Sequence, residues 1–285
     1  MSVDGGGRDT SPDALVDGDA GDTNIADALP PVDVQPFDAD RTGCPTTSPI
    51  YVITVETGTL YAFDPPSALF KRIAKLACPG VQGSHPKSMS VNRAGNAYVL
   101  FDTSALLSVA TTNGACATTS YVRSQEVDFL NFGMSYSTNG GGPSETLFVV
   151  SEPTAVGRPR LGTLDGNLHL GIVGAIDVPP GTSMDLTGNA SGALFGFAPG
   201  DTDSFIVQLD KQTAAIVAET KLPGVSGSYA IAFSFWGDAF YLFTSHGPGF
   251  GSTVTRYRPR DGSIVDVASH AETIIGAGSS TCAPD

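Results

Sequence analysis

Apolar and polar residues alternate in short segments along most of the chain from residue 44 onward, the pattern of half-buried β-strands. The clearest segments begin with a glycine and continue into an aromatic-rich strand, starting at Gly95, Gly192 and Gly237. The last two copies start 45 residues apart, and the first starts 97 residues before the second, about two periods. Such spacing predicts a repeat made of one four-stranded antiparallel sheet.

Five such sheets account for residues 44–285. Strands that open a unit are predicted at 88–91, 132–136, 185–186 and 230–233, and third and fourth strands follow in each unit, one of them at 168–170. The third unit departs from the pattern because Gly140 to Ser144 lengthen its hairpin.

The two ends of this region are each incomplete. Residues 49–55 resemble the second strand of a unit without an opening strand, whereas residues 273–278 form an opening strand with nothing after it. Pairing the two completes one sheet and closes a ring, which leaves no long sheet edge exposed. The sequence therefore predicts an all-β fold, a five-bladed β-propeller closed by N- and C-terminal strands in one blade.

The four cysteines support the same ring. Four cysteines allow three pairings, and none of these has the close spacing of a zinc site. Ring closure brings Cys44 next to Cys282, and Cys78 and Cys116 lie at the outer parts of the first two blades. We therefore expect Cys44–Cys282 and Cys78–Cys116 disulfides, and with them an oxidising, extracytoplasmic compartment.

Charge separates the first 43 residues from the rest. The net charge of the chain is −14, and residues 1–43 hold ten Asp and two Arg, a net charge of −8. With one aromatic residue, Phe37, this segment is predicted to be a disordered acidic spacer. The lack of a basic surface disfavours nucleic acid as a partner. The start of the chain lacks a secretory signal, so the disulfides favour a signal or lipid anchor that has been removed.

Several motifs resemble those of a group of exported, mostly uncharacterised myxobacterial propeller proteins with Asp/Pro-rich spacers. The resemblance covers residues 44–285 and includes Phe63-Asp64-Pro65, Leu194-Phe195-Gly196, Trp236-Gly237 and the segment 276–284. It implies a lipoprotein-like, exported propeller and brings no activity with it.

Candidate ligand residues are few. The predicted inner strands supply one carboxylate, Asp185, with Asn131 nearby, and Trp236 is a possible stacking platform for a sugar. His246 and Phe250 lie in a glycine-rich loop that is suited to binding. Glu126, Asp128 and Glu145 are placed near a channel mouth, with Glu145 expected to be solvated.

These residues match neither a paired-carboxylate hydrolase site nor a metal-ligand spacing. We therefore predict a non-enzymatic binding or scaffold module with a protein or glycan ligand, without catalytic residues, metal or cofactor. The alternative is a hydrolase or lactonase with its site at the central channel.

Overall fold

The computed structural model describes residues 1–2, 28–35, 44, 48–227 and 229–285. Their strands form five four-stranded antiparallel sheets, which are the blades of a propeller. Blade 1 contains β1 (Ile50–Thr54), β2 (Thr59–Asp64) and β3 (Leu69–Lys75), and blade 2 contains β4 (Pro86–Val91), β5 (Asn96–Phe101), β6 (Leu106–Ala110) and β7 (Cys116–Thr118).

The remaining blades follow in chain order. Blade 3 contains β8 (Phe132–Thr138), β9 (Glu145–Ser151), β10 (Arg160–Leu164) and β11 (Leu170–Ala175), and blade 4 contains β12 (Asp185–Gly188), β13 (Leu194–Ala198), β14 (Asp203–Leu209) and β15 (Ile216–Pro223). Blade 5 contains β16 (Ala230–Trp236), β17 (Ala239–Ser245), β18 (Ser252–Arg258) and β19 (Ser263–His270). A short 3-10 helix, Val127–Phe129, precedes β8.

The predicted ring closure is confirmed. The last strand, β20 (Ile274–Gly278), pairs antiparallel with β1 and becomes the inner strand of blade 1, with Tyr51 opposite Gly278 and Ile53 opposite Gly276. The long hairpin of blade 3 is also present, because β8 ends at Thr138 and β9 begins at Glu145. One predicted strand starts too early: Leu168 lies in a turn with φ of 63°, and β11 begins at Leu170.

Both predicted disulfides are present, Cys44–Cys282 and Cys78–Cys116, so all four cysteines are paired. The pairs are 238 and 38 residues apart in sequence, and the longer one joins the two ends of the ring. Two disulfides indicate an oxidising compartment. Within the described residues, no helix is long and apolar enough to cross a membrane.

The five inner strands, β20, β4, β8, β12 and β16, pack closely around the axis of the ring. Side-chain oxygens of one inner strand accept hydrogen bonds from backbone N–H groups of the next: Ser90 Oγ from Tyr136 N (3.0 Å) and Ser135 Oγ from Gly188 N (2.9 Å). Thr187 Oγ1 accepts one from Phe235 N at 3.0 Å. These buried polar side chains therefore stabilise the ring, because they accept hydrogen bonds from backbone N–H groups that are not bonded to a neighbouring strand of their own sheet.

One end of the channel is closed by the segment 279–285, which follows β20. Ser280 Oγ donates to Arg93 O (3.1 Å), and Thr281 Oγ1 donates to Glu145 Oε2 (2.8 Å). Pro284 O accepts a hydrogen bond from Gly237 N at 2.7 Å. These contacts reach blades 2, 3 and 5. We call this end of the channel the closed face, and the opposite end, where the inner strands begin, the open face.

Part of the predicted spacer contacts the propeller. Within residues 28–35, Val32 is buried against blades 4 and 5, and Pro30 O accepts a hydrogen bond from Glu219 N of β15 at 2.9 Å. Val32 N donates to Thr220 Oγ1 at 2.9 Å. The prediction of a disordered spacer over 1–43 otherwise falls on residues 3–27 and 36–43, outside the described part of the chain, and stays a prediction.

Candidate functional site

A cavity of about 190 Å³ lies at the open face, where the inner strands begin. Each of the five inner strands, or the residue just before it, contributes to its wall. The lining residues include Ser88, Phe132, Asp185, Ala230 and Ile275. Because the segment 279–285 covers the opposite end, this cavity is the open mouth of the channel.

Three buried polar atoms of lining residues have no hydrogen-bond partner: Ser88 Oγ, Asn131 Oδ1 and Asp185 Oδ1. Each has less than 1 Å² of exposed surface. Leaving a buried polar atom unsatisfied costs about 1–3 kcal/mol, so proteins rarely do so without a water, an ion or a ligand. Three residues that carry such an atom line one cavity, and we take this cavity as the candidate ligand site.

The two carboxyl oxygens of Asp185 differ: Oδ2 accepts a backbone hydrogen bond, whereas Oδ1 has no hydrogen-bond partner. Its Oδ2 accepts a hydrogen bond from Phe233 N at 3.1 Å and joins blade 4 to blade 5. Burial raises the pKa of this carboxyl to about 8, although the backbone N–H groups of Leu186, Phe233 and Met134 act in the opposite direction. A carboxyl group with this pKa carries its proton at neutral pH.

The raised pKa of Asp185 predicts a pH dependence of folding. In the unfolded chain this carboxyl ionises near pH 4, whereas in the folded protein it keeps its proton up to about pH 8. Between about pH 4 and pH 8, unfolding releases the proton of this carboxyl group. The contribution of Asp185 to the free energy of unfolding therefore falls by up to about 1.4 kcal/mol per pH unit as the pH rises.

The measurement is urea denaturation of the wild type and of Asp185→Asn at pH 5, 6 and 7. The wild type is expected to lose stability relative to the variant at each step. Asp201→Asn, at an exposed site, is the matched control and should follow the wild type. Stability curves of the wild type and Asp185→Asn that run parallel over this range would contradict a raised pKa.

Asn131 is held at the cavity by the loop around the 3-10 helix. Arg160 fixes this loop by donating from Nε to Asp128 Oδ2 (2.8 Å) and from an Nη to Glu126 Oε2 (2.7 Å). The side chain of Asn131 donates from Nδ2 to Glu152 Oε2 at 3.1 Å, and Glu152 also lines the cavity. Glu126 and Asp128, placed near a channel mouth from sequence, thus support the Asn131 loop through Arg160.

The structure separates the other predicted site residues from this cavity. Trp236 ends β16 near the closed face, where its Nε1 donates to Ser48 O at 2.7 Å and its ring packs against the core between blades 5 and 1. His246 and Phe250 lie at the open face in the loop after β17, and both are exposed, but neither lines the cavity. Of the five candidates, Asn131 and Asp185 are brought together.

Glu145 was expected to be solvated, but in the structure it is partly buried and hydrogen-bonded. Its Oε1 accepts a hydrogen bond from Arg93 N (2.7 Å), its Oε2 accepts one from Thr281, and burial raises its pKa. The long hairpin of blade 3 folds against the segment 279–285, which makes Glu145 part of the closed face.

Ser88 and Glu152 also line the candidate site, and neither was among the residues predicted from the sequence. Ser88 and Ser90 of β4 correspond in position to Asp185 and Thr187 of β12, because Ser90 and Thr187 both accept a backbone N–H from the next inner strand. An alignment of the inner strands on this serine or threonine therefore identifies Ser88. Glu152 follows β9 and carries no comparable signal. Among the described residues, no group of three or more His, Cys, Asp or Glu is arranged to hold a metal ion.

No protein-family model and no curated protein sequence matches the chain. One solved structure with a similar fold is a chain of the nidogen/laminin complex, which is 12% identical over 82% of this chain and 98% of its own length, with a TM-score of 0.52. TolB from Acinetobacter baumannii is 12% identical over 78% of this chain and 51% of its own length, with a TM-score of 0.43. At such low identity the similarity to the nidogen/laminin chain shows the fold alone, and the five four-stranded sheets of this chain make it an all-β, five-bladed propeller.

Proposed function

We propose that the protein is an extracytoplasmic binding module whose ligand enters the cavity at the open face. The observation that supports this most strongly is the set of three unpartnered atoms, Ser88 Oγ, Asn131 Oδ1 and Asp185 Oδ1, at one cavity. The cavity of about 190 Å³ is smaller than the roughly 300–1,000 Å³ of sites for drug-sized ligands. It is therefore suited to one side chain or functional group of a larger partner.

The proposed location rests on the disulfides and on the sequence resemblance. The two disulfides and the acidic spacer of this chain suit a secreted, periplasmic or cell-surface lipoprotein, the kind of protein that the resemblance to the myxobacterial propeller group implies. The nidogen/laminin structure contains a similar fold within a protein complex, which is consistent with a binding role.

A hydrolase is the second candidate, because two carboxyl groups line the cavity. Asp185 with its raised pKa is protonated like a general acid, and Glu152 provides a second carboxyl group. Glycoside hydrolysis uses such a pair on either side of the bond that is cleaved. The small cavity and the burial of Asp185 favour binding, since a substrate has to place a bond between the two groups.

Glycan and peptide arrays probed with the wild type and with Ser88→Ala, Asn131→Ala and Asn167→Ala test the proposal. Ser88→Ala removes an atom with no hydrogen-bond partner, so we expect the free energy of unfolding to stay the same or rise by up to about 1 kcal/mol. Asn167 is exposed on an outer turn of blade 3 and provides the control.

The expected result is a ligand whose binding falls at least ten-fold in Ser88→Ala and Asn131→Ala and is unchanged in Asn167→Ala. Ligands that all bind both cavity variants as tightly as the wild type would refute the cavity as the site. Turnover of an array glycan that is lost in Asp185→Asn and in Glu152→Gln would favour the hydrolase.

A further inference from the structure

The orientation of the Asn131 amide shows which chemistry the cavity recognises. A carboxylate accepts hydrogen bonds and cannot donate them, so Glu152 fixes the NH₂ group of Asn131 towards itself. The amide oxygen is then the group left without a partner. With Ser88 Oγ and Asp185 Oδ1, it makes a set of three oxygen atoms without a hydrogen-bond partner among the described residues.

About half of the wall around these oxygens is apolar. Phe132, Pro153, Met184, Ile231 and Ile275 line the same cavity. A volume of about 190 Å³ corresponds to roughly six molecules of liquid water. This space is suited to a slender aliphatic chain with a polar end, and is too small for an oligosaccharide.

Charge favours a cation at the polar end. Lys87, Glu152 and Tyr229 are the other titratable side chains that line the cavity, and all three are exposed. Gly133, next to Asp185 Oδ1, and Phe233, which bonds Oδ2, are not ionisable. An ionised Asp185 therefore has no cation of the protein buried beside it. Residues 44–285 carry a net charge of −6, which also favours the approach of a positively charged partner.

We propose that the open-face cavity binds the ammonium group of a lysine side chain presented by a protein partner. This inference rests on the proposed binding function and names its ligand. The ammonium has as many N–H donors as there are unpartnered oxygens, and the apolar side chains of the wall provide contacts for the methylene groups. Because a buried ion pair is stable only when its hydrogen bonds are all made, this match in number matters.

Binding changes the protonation of Asp185. The lysine ammonium keeps its proton, and the carboxyl group of Asp185 releases its own proton to solvent, so the bound state holds an ammonium and a carboxylate. A neighbouring cation lowers the pKa of a carboxyl group. By linkage, affinity for the ammonium rises with pH, up to about ten-fold per unit, between the pKa values of the bound and the free protein.

The amide of Phe233 reports on this change, because its N–H donates to Asp185 Oδ2. The experiment follows the Phe233 amide resonance of the full chain from pH 5 to 9, with and without saturating Nα-acetyl-lysine methylamide. The norleucine analogue, which lacks the ammonium, is the matched ligand control. Asp185→Asn and Asp201→Asn are the matched protein variants.

We expect the lysine probe to bind at least ten-fold more tightly than the norleucine probe and to lower the titration midpoint of Phe233 by at least one pH unit. Asp185→Asn should lose both effects, and Asp201→Asn should keep them. Equal binding of the two probes would overturn the inference. Binding of Ca²⁺ or Mg²⁺ alone, with the same shift of the midpoint, would overturn it in favour of a metal ion.

Failure of this inference is distinguishable from failure of the binding function. If an array ligand without amines binds and is lost in Ser88→Ala, the cavity is a binding site for another ligand class and the lysine inference is wrong. If neither the arrays nor the lysine probe detects binding that depends on Ser88 or Asn131, both proposals are wrong.

Discussion

Replacing Gly188 by alanine should destabilise the propeller by about 3 kcal/mol or more. A Cβ atom at this position would overlap the carbonyl oxygen of Tyr136 and lie 2.6 Å from Ser137 Cβ, both on the neighbouring inner strand. Overpacking in a core costs about 1–3 kcal/mol when side chains can move aside. Here the obstacle includes backbone that is bonded across the ring, so the cost should reach or exceed the upper end of that range.

Gly166→Ala is the control for this change. No atom lies within 4 Å of a Cβ built at Gly166, which is in an exposed turn. Urea denaturation should give nearly wild-type stability for Gly166→Ala. If the free energies of unfolding of Gly188→Ala and Gly166→Ala differ by less than about 0.5 kcal/mol, the inner strands are packed less tightly than the contacts at Gly188 indicate.

Removing the Cys44–Cys282 disulfide should also have a large effect. In the chain-entropy model, a crosslink over 238 residues contributes about 5 kcal/mol, and one over 38 residues contributes about 4 kcal/mol. The longer disulfide also holds the segment 279–285, which closes one end of the channel. Cys44→Ser/Cys282→Ser should therefore be less stable than Cys78→Ser/Cys116→Ser.

Thermal and urea denaturation of the two double variants, under non-reducing conditions, makes this comparison. The Cys78/Cys116 variant is the matched control, because it removes the same chemical group from an outer position. A smaller loss for Cys44→Ser/Cys282→Ser than for the control would mean that joining the ends contributes little to the stability of the ring.

The architecture was predictable because a closed ring repeats one local pattern. The segments starting at Gly95, Gly192 and Gly237 lead into or lie within β5, β13 and β17, and the incomplete units at residues 49–55 and 273–278 identified blade 1. The disulfides followed from the same closure. Leu168 was misassigned because its apolar side chain suggested a strand, although the residue lies in a turn.

The site was predictable only in part. Inner-strand position identified Asp185 and Asn131, but a side chain's hydrogen-bond partners depend on packing across the ring. Ser90 Oγ accepts a bond from the next blade, whereas Ser88 Oγ has no partner. The pairing of β4 with β5 shifts register between Pro86 and Ser88, a local irregularity that the alternation of residues does not reveal. The environment of Trp236 was not predictable because its indole N–H donates to Ser48 O, and Ser48 is 188 residues away in sequence.

A high-resolution crystal structure of the full chain would show whether the open-face cavity is a site with unfilled hydrogen-bonding capacity. We expect ordered solvent or a bound molecule within hydrogen-bond distance of Asp185 Oδ1, Asn131 Oδ1 and Ser88 Oγ. A cavity closed by neighbouring side chains, with all three oxygens bonded to the protein itself, would contradict it.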